Sequence, residues 1–318
     1  MLETLQANLL SPMALAFALG IVATLVKSDL RFPEGMASAL SIYLLLAIGL
    51  KGGAQLAQAN LGELIWPALA AILLGGATPI WCFLILRRLG KLGIADAAAI
   101  AAHYGSVSAV TFSASLTLLE AVGQNYEGYV AALVALMEIP GIAVALLIAR
   151  AQMGGDGSIR DAMHEVLTGK GIILLLGGLV VGWLGGKAGY EQVAPFFADP
   201  FKGALTLFLL DLGMVAARQL GQLRKAGLFL VGFGILMPLL HGIVGVWIGG
   251  LAGLSVGGAM VFGVLAASAS YIAAPAAVRV ALPQANPGYY LTAALAITFP
   301  FNLAIGMPIY YTIAQALG

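Results

Sequence analysis

Apolar runs of about twenty residues, separated by short charged or Gly/Pro-rich stretches, recur along the whole chain. An α-helix needs a run of roughly that length to cross the hydrocarbon core of a bilayer. The chain is 61% hydrophobic and only 9% charged, whereas soluble domains are roughly a quarter charged. The sequence therefore predicts one all-α integral membrane domain of ten transmembrane helices, at 12–27, 36–54, 64–86, 95–119, 128–150, 170–188, 201–217, 227–250, 256–281 and 288–315.

Charge balance and motif content exclude several classes of protein. The formal net charge is +1, so no basic stripe is available to bind nucleic acid. A single cysteine, Cys82, excludes an internal disulfide framework, and no spacing of His, Cys, Asp and Glu indicates a metal centre. The sequence contains neither a GxxxxGK[ST] phosphate loop nor an HExxH motif. It therefore argues against ATP-driven transport and against an intramembrane metalloenzyme, and no cofactor is expected apart from a coupling ion.

Basic residues between the predicted spans set the orientation. If the N-terminus lies outside, only Lys51, Lys187 and Lys202 of the fifteen Lys and Arg residues lie outside with it. The other twelve lie on the opposite side, which the positive-inside rule makes the cytoplasmic side. We therefore expect both termini outside the cytoplasm, in a bacterial inner membrane. The opening MLETLQANLL lacks the basic region of a signal peptide, so we expect the mature chain to begin there.

The longest loop, 151–169, is predicted to be cytoplasmic. It opens with a Gly-rich linker and continues with a short amphipathic piece. Two interpretations stay open: the loop is a solvated tether, or it is a docking surface for a cytoplasmic regulator.

An internal repeat divides the chain into two halves. Residues 125–151 match 285–316 at an offset of 160, which places Pro140 on Pro300. Each half contains five predicted spans, and because five is odd, the second half must enter the membrane from the opposite side. The sequence therefore predicts two inverted five-helix repeats, 1–150 and 170–318, joined by the loop 151–169, an arrangement typical of alternating-access transporters.

Two small, hydroxyl-rich stretches are the candidates for broken helices. YGSVSAVTFS (104–113) lies in the fourth span and AASASYIAAPAAV (266–278) in the ninth, with Gly105 and Pro275 as the expected breakers. A break exposes half-helix ends, whose N–H groups attract an anion and whose carbonyls suit a cation. The alternative is that these serines are packing residues of ordinary membrane helices. The predicted substrate and ion site comprises Gly105, Ser106, Val107, Ser108, Ser268, Ala269, Ser270 and Tyr271.

Two acids fall near the centres of predicted spans. Glu138 and Asp211 are candidates for a cation or coupling site, since an ionisable group at that depth costs about 2.5–3.5 kcal/mol and is usually functional. Alternatively, each carboxyl is protonated and bonded to a neighbouring helix. His103 and His241 are interpreted as hydrogen-bond partners between helices, with a proton relay as the alternative. The four-residue glycine ladders 178–186 and 245–253 are interpreted as packing faces, either within the protomer or between protomers.

Five segments carry a resemblance to a known family: YGSVSAVT, MEIPG, LDLGMVAARQLGQLRKAG, PLLHG and AASASYIAAP. Together they resemble the sodium-dependent bicarbonate transporters of cyanobacteria. The resemblance implies a homotrimer of ten-helix subunits, Na⁺-driven uptake of bicarbonate, a site between two broken helices and a PII-like regulator on the cytoplasmic face. By position it implicates Gly105, Val107 and Ser108 in the first break and Ser268, Ser270 and Pro275 in the second.

Some positions depart from the family pattern. Glu138 stands where the family has Asp, Val110 where it has a hydroxyl, and Tyr271 lies in a segment that lacks the family's acidic residue. We expect a secondary active transporter, not an enzyme, that imports bicarbonate or a similar small anion with Na⁺. The alternatives are an H⁺- or Na⁺-coupled transporter of a small organic anion and a channel-like or gas-conducting protein.

Overall fold

A computed structural model shows a helical protein, described over residues 6, 9–33, 35–153 and 159–318. No strand occurs within these ranges. The helices are α1 Pro12–Leu25, α2 Met36–Leu56, α3 Leu61–Arg88, α4 Ile94–Gly105, α5 Ala109–Ala121, α6 Val130–Met153, α7 Ile159–Thr168, α8 Lys170–Phe197, α9 Phe201–Gly221, α10 Gly227–Leu251, α11 Val256–Ala267, α12 Ala273–Ala281 and α13 Pro287–Leu317. α9 and α10 form one helical run that is divided at Gly227, where φ is 77° and ψ is 161°.

Each of the ten predicted apolar segments is helical. Within the described ranges, seven helices are long and apolar enough to cross a membrane, namely α2, α3, α6, α8, α9, α10 and α13. The predicted first span is the shorter helix α1, and the predicted fourth and ninth spans are each two helices separated by an extended segment. The prediction of an all-α fold with interruptions in these two segments is therefore confirmed.

Capping residues explain where several helices begin. Ser11 Oγ accepts a hydrogen bond from the Ala14 N–H at 3.2 Å, and Pro12 occupies the first position of α1. Asn60 and Ser255 cap α3 and α11 in the same way, at 3.1 and 3.3 Å. Such side chains satisfy N–H groups that have no partner within the helix. These capping residues therefore set where each helix begins, at the start of its apolar run.

The outer faces of the helices are apolar. Leu184 is 74% exposed, Leu73 70% and Trp66 69%. Large apolar side chains in such numbers on a surface indicate contact with something other than water. In a chain with seven membrane-span candidates, that contact is with lipid.

The helices form two groups. The first, which we call the panel, comprises α1, α2, α8 and α9 and is held together by close contacts between glycines. α2 packs on α8 and α1 on α9. A Cβ on Gly49 would lie 2.8 Å from the Gly178 Cα, and a Cβ on Gly20 would lie 3.1 Å from the Gly213 Cα. Only glycine lets the backbones approach this closely.

The remaining membrane helices form the second group, which we call the bundle: α3–α6 and α10–α13. α3 and α4 both pack on α6, and α10 packs on α11 and α13. Gly245 faces the Gly263 Cα, from which a Cβ on Gly245 would lie 2.8 Å away. The predicted packing role of the ladders is confirmed at Gly178 and Gly245. At Gly186 and Gly253, φ is positive and no described atom of this chain would lie within 4 Å of an added Cβ, so packing there between protomers stays a prediction.

The loop 151–169 is partly helical. Residues 151–153 complete α6, and the predicted Gly-rich linker falls largely on 154–158, outside the described residues. The predicted amphipathic piece is α7, which buries Ala162 and Val166 and packs on α12. The second half of this loop therefore lies against the bundle.

Candidate functional site

Two extended segments interrupt the bundle where the sequence places its hydroxyl-rich stretches. α4 ends at Gly105, and Ser106 and Ser108 have extended backbones, with ψ of 165° and 111°. α11 ends at Ala267, and Ser268 is also extended, with ψ of 162°. All three serines are buried. Extended backbone at this depth is tolerated only where protein or a watery cavity satisfies its polar groups.

The two extended segments satisfy each other. The Ser108 N–H donates to Ser268 Oγ at 2.9 Å, and the Ser270 N–H donates to the carbonyl oxygen of His103 at 2.8 Å. The two segments, which are distant in the sequence, therefore lie in direct contact, with Ser108 bonded to Ser268 and Ser270 bonded to His103. We call this arrangement the crossing.

Four half-helix ends meet at the crossing. Ser108 Oγ caps α5 by accepting from the Thr111 N–H at 3.1 Å, and Ser270 Oγ accepts from the Ala274 N–H in the first turn of α12 at 3.2 Å. The C-termini of α4 and α11 lie on the other side of each segment. The N-terminal ends carry partial positive charge and the C-terminal ends partial negative charge. The crossing thus presents both signs of charge without any ionised side chain.

Both expected breakers lie beside the breaks, and neither lies within the extended residues. Pro275 is the third residue of α12, where proline is tolerated because a first-turn N–H has no helical partner. Gly105 is the last helical residue of α4, and a Cβ there would lie 3.0 Å from the Gly141 Cα. Pro275 therefore helps to start the second half-helix, and Gly105 permits close packing of α4 on α6. The breaks themselves lie at 106–108 and 268–272.

A small cavity adjoins the crossing. Its volume is about 20 Å³, and Val107, Ser108, Glu138, Ser270 and Tyr271 contribute to its lining. A space of this size holds about one water molecule. Panel residues close the cavity on its other side, namely Leu45, Gly171 and Leu175. The cavity therefore lies between the bundle and the panel.

Glu138 brings a carboxylate to this cavity. It lies on α6 and is 7% exposed, and the Ser106 hydroxyl donates to its Oε2 at 3.3 Å. Ser106 thereby links the first extended segment to the carboxylate. This contact brings Glu138 next to the fourth-span break, and its role as a cation or coupling site stays a prediction.

Tyr271 places a phenol at the same cavity. Its ring packs edge-on against Phe299, with 5.8 Å between centroids. Its buried hydroxyl has no partner of good hydrogen-bond geometry among the described residues, and the Ser108 side chain is its polar neighbour. A buried polar atom left without a partner is costly, so this hydroxyl is available to a ligand.

Six of the predicted residues do not line the cavity, namely Gly105, Ser106, Ser268, Ala269, Pro275 and Asp211. Ala269 is 3% exposed and sits within the second extended segment without lining the cavity. Asp211 lies on α9 in the panel and is half-buried. The structure does not bring Asp211 to the crossing.

The two predicted histidines occupy helix contacts. His241 Nε2 accepts from the Trp81 indole at 2.7 Å, which joins α10 to α3 and confirms its predicted role. His103 Nδ1 pairs with Ala99 of its own helix at 2.6 Å, and its ring stacks on Tyr290 at 4.4 Å. The prediction of a hydrogen bond between helices is therefore wrong for His103, whose contact with α13 is a ring stack.

Asn302 is a residue that the sequence reasoning missed. It is fully buried on α13, and its Nδ2 donates to the carbonyl of Ala267, the last residue of α11, at 2.7 Å. Its Oδ1 accepts from the Tyr310 hydroxyl at 3.1 Å. Asn302 begins a π-helical turn, Asn302–Gly306, a feature frequent at functional sites. A lone amide in an apolar span was the available signal.

Comparison with known proteins identifies the family of the chain. A search of curated proteins finds no match. A family model, described as the Na⁺-dependent bicarbonate transporter superfamily, matches residues 12–315, which include every helix from α1 to α12 and nearly all of α13. The chain therefore belongs to the Na⁺-dependent bicarbonate transporter superfamily.

Proposed function

We propose that the protein is a secondary active transporter that carries bicarbonate with Na⁺ through the crossing by alternating access. The reciprocal pairing of Ser108 with Ser268, and of Ser270 with the His103 carbonyl, is the observation that carries the proposal. It holds four half-helix ends of opposite partial charge together in the bundle. Family membership supports both the anion and the coupling ion.

Each ion has suitable groups at the crossing. The N-terminal ends of α5 and α12, with the hydroxyls of Ser108 and Ser270 and the free Tyr271 phenol, suit an anion. The carbonyl ends of α4 and α11 suit Na⁺, and Glu138 adds a carboxylate one hydrogen bond away from Ser106. Because the two sets of groups alternate, each bound ion offsets the charge of the other. Co-binding of this kind couples the two fluxes.

The packing supports inverted repeats. α1 packs on α9, and α2 packs on α8. α1 and α8 are the first helices of the two halves, and α2 and α9 are the second helices. Exchanging the two halves therefore converts one packed pair into the other. The same exchange relates the α3–α4 contact to the α10–α11 contact. We infer ten membrane crossings in two inverted halves, with the panel and the bundle each drawing helices from both.

Transport requires the panel and the bundle to separate. A cavity of about 20 Å³ holds one water, and bicarbonate, with four non-hydrogen atoms, needs more room. Leu45 and Leu175 of the panel close the space over Ser108 and Ser270 of the bundle. Movement of the bundle against the panel would therefore uncover the site without dismantling the crossing.

Topology and assembly complete the proposal. The distribution of basic residues supports a topology with both termini outside the cytoplasm, in a bacterial inner membrane, and the family resemblance implies a homotrimer. α7, which packs on the inner half-helix α12, is the surface where a cytoplasmic PII-like regulator would act. Native mass spectrometry of the purified protein tests the trimer.

Uptake of ¹⁴C-bicarbonate into proteoliposomes, with and without an inward Na⁺ gradient at fixed pH and membrane potential, tests the function. Accumulation should depend on the gradient and collapse in the double variant Ser108→Ala/Ser270→Ala. Ser115→Ala is the matched control, because the Ser115 hydroxyl bonds only within its own helix, to the Phe112 carbonyl. Normal uptake by a folded double variant would refute the assignment of the site.

A small organic anion is the second candidate substrate. The unpartnered Tyr271 hydroxyl adds a donor that a carboxylate could use. Competition of unlabelled carboxylates against bicarbonate uptake separates the two substrates.

A further inference from the structure

A second and much larger cavity lies between the panel and the bundle, at the opposite end from Gly171. Its volume is about 350 Å³, and we call it the outer vestibule. The ionisable side chains that line it are Lys51, Glu120, Tyr126, Tyr190, Asp199 and Lys202. Lys51 and Lys202 are two of the three basic residues that the charge distribution places outside the membrane.

Glu120 bridges the two lysines. Its Oε1 lies 3.1 Å from Lys51 Nζ, and its Oε2 lies 3.1 Å from Lys202 Nζ. Lys51 Nζ also lies 3.5 Å from the Tyr126 hydroxyl. Burial raises the pKa of the Tyr126 phenol, so this hydroxyl keeps its proton. The three ionised side chains carry two positive charges and one negative charge, which leaves an excess of positive charge at the cluster.

The cluster joins the panel to the bundle. Lys51 lies on α2 and Lys202 on α9, both in the panel, whereas Glu120 lies on α5 in the bundle. α5 is also the half-helix that Ser108 caps at its other end. A movement that carries Glu120 away from α2 and α9 would therefore break both salt bridges. We call them the outer latch.

The latch is open to exchange with solvent ions. The side chains of Lys51 and Glu120 are 39% and 37% exposed, and that of Lys202 is 58% exposed. Water and salt weaken ion pairs at such exposure. The other carboxylate of the lining, Asp199, is exposed, so solvent screens its repulsion of an anion.

A thin apolar floor separates the outer vestibule from the crossing. Ile48, Phe112 and Val130 line the vestibule and are at most 5% exposed. Leu45 and Val134, which line the small cavity, lie three and four residues from Ile48 and Val130 on the same helices. One helical turn spans about 5.4 Å. The vestibule therefore ends about one turn from the site.

We propose that the outer vestibule is an anion site in which an external bicarbonate ion displaces Glu120 from Lys51 and Lys202 and thereby releases the outer latch. The Glu120 carboxylate shows what ligand the two ammonium groups accept, since each of its oxygens contacts one lysine Nζ. Bicarbonate presents the same planar O–C–O unit with one negative charge. Each ammonium also has further donors, and the Tyr126 hydroxyl supplies another. The replacement of Glu120 by bicarbonate at the two lysines thus binds the substrate and opens the outer side in one step. The direction of transport in this proposal rests on the proposed function, whereas the anion site does not.

Lysine labelling tests the anion site independently of transport. Right-side-out vesicles are treated briefly with a membrane-impermeant N-hydroxysulfosuccinimide ester, in sodium bicarbonate or in sodium chloride at equal pH and ionic strength. Mass spectrometry then quantifies acylation of each lysine. Bicarbonate should change acylation of Lys51 and Lys202 several-fold and leave the external Lys187 unchanged. Equal changes at all three lysines, or none, would overturn the proposal.

Kinetics test the consequence for transport. Lys51→Gln and Lys202→Gln should each raise the KM for external bicarbonate several-fold with a smaller effect on Vmax, and Lys187→Gln should not, because Lys187 lies outside the vestibule beside Glu191. Glu120→Gln keeps the shape but weakens the latch, so it should lower that KM. Unchanged KM values in folded Lys51 and Lys202 variants would also overturn the proposal. Selective labelling changes in a protein that does not transport bicarbonate would uphold the anion site and reject the proposed function instead.

Discussion

Ser268→Ala is the sharpest test of the crossing because it removes one hydroxyl with two different roles. Ser268 Oγ accepts from the Ser108 N–H at 2.9 Å and donates to the Leu265 carbonyl at 2.8 Å. The Leu265 carbonyl keeps a partner in the variant, since the Ser268 N–H also donates to it at 3.1 Å. The Ser108 N–H loses its partner. A buried N–H left unsatisfied costs about 1–3 kcal/mol.

That cost falls on the crossing itself. If the paired arrangement is the one that binds the ions, a loss of about 1–3 kcal/mol lowers the equilibrium constant for pairing about 5- to 150-fold. Vmax/KM for Na⁺-driven bicarbonate uptake should fall, at most by that factor, because the binding-competent fraction cannot fall further than the equilibrium constant does. The matched change Ser115→Ala removes a hydroxyl that bonds only to a helix carbonyl, at 2.7 Å, and should leave Vmax/KM nearly unchanged.

The assay is initial-rate uptake in proteoliposomes reconstituted at equal protein density, accompanied by thermal denaturation of each purified variant. Ser268→Ala should denature at a lower temperature than Ser115→Ala. If Ser268→Ala protein transports like the unaltered protein and denatures like the Ser115 variant, the Ser108–Ser268 hydrogen bond contributes nothing and the reasoning fails.

Two further changes test other parts of the molecule. Glu138→Gln keeps an acceptor for the Ser106 hydroxyl but removes the negative charge, so it should raise the KM for Na⁺ more than the KM for bicarbonate, and Glu138→Asp should partly restore Na⁺ affinity; equal effects on both ions would argue against a cation role. Gly178→Leu places a side chain against the Gly49 backbone and should abolish monodisperse protein in size-exclusion chromatography, whereas Gly177→Leu, which has no described atom within 4 Å of an added Cβ, should not; similar yields of the two variants would contradict the glycine-packed panel.

Hydropathy predicts the helices well because a bilayer imposes one length and one composition on every span. The spans predicted at 36–54 and 128–150 appear as Met36–Leu56 and Val130–Met153. The division at Gly227 is also readable, since it follows the charged stretch that separates two apolar runs. The sequence does not indicate where each broken helix ends. Gly105 lies beside the first break because the tight backbone contact there suits glycine. Pro275 lies beside the second break because the first turn of a helix tolerates proline.

The candidate site was predictable in part. Ser106, Ser108, Ser268 and Ser270 are visible as equivalent hydroxyls in two halves of the chain, and Glu138 as a carboxyl in an apolar span. Their pairing is a tertiary contact across 160 residues, which no local pattern shows. Asn302 was missed for a related reason, since its partner is a backbone carbonyl at the end of another helix. The Glu120 cluster likewise depends on three helices that meet only in the folded chain.

α5 connects the two sites that the chain presents to its ions. It has 13 residues and is therefore about 20 Å long, with Ser108 capping one end and Glu120 near the other. In the proposed mechanism, its N-terminal end attracts the anion at the crossing, and Glu120, near its C-terminal end, is the group that an external anion displaces from Lys51 and Lys202. In that mechanism, displacement of Glu120 removes the ion pairs that hold α5 to the panel, while the other end of α5 stays paired with Ser268. The bundle, with the crossing intact, would then be released from the panel on its outer side. The vestibule and the crossing are then two stages of one path, and the apolar floor between them, to which α5 contributes Phe112, would open with that release.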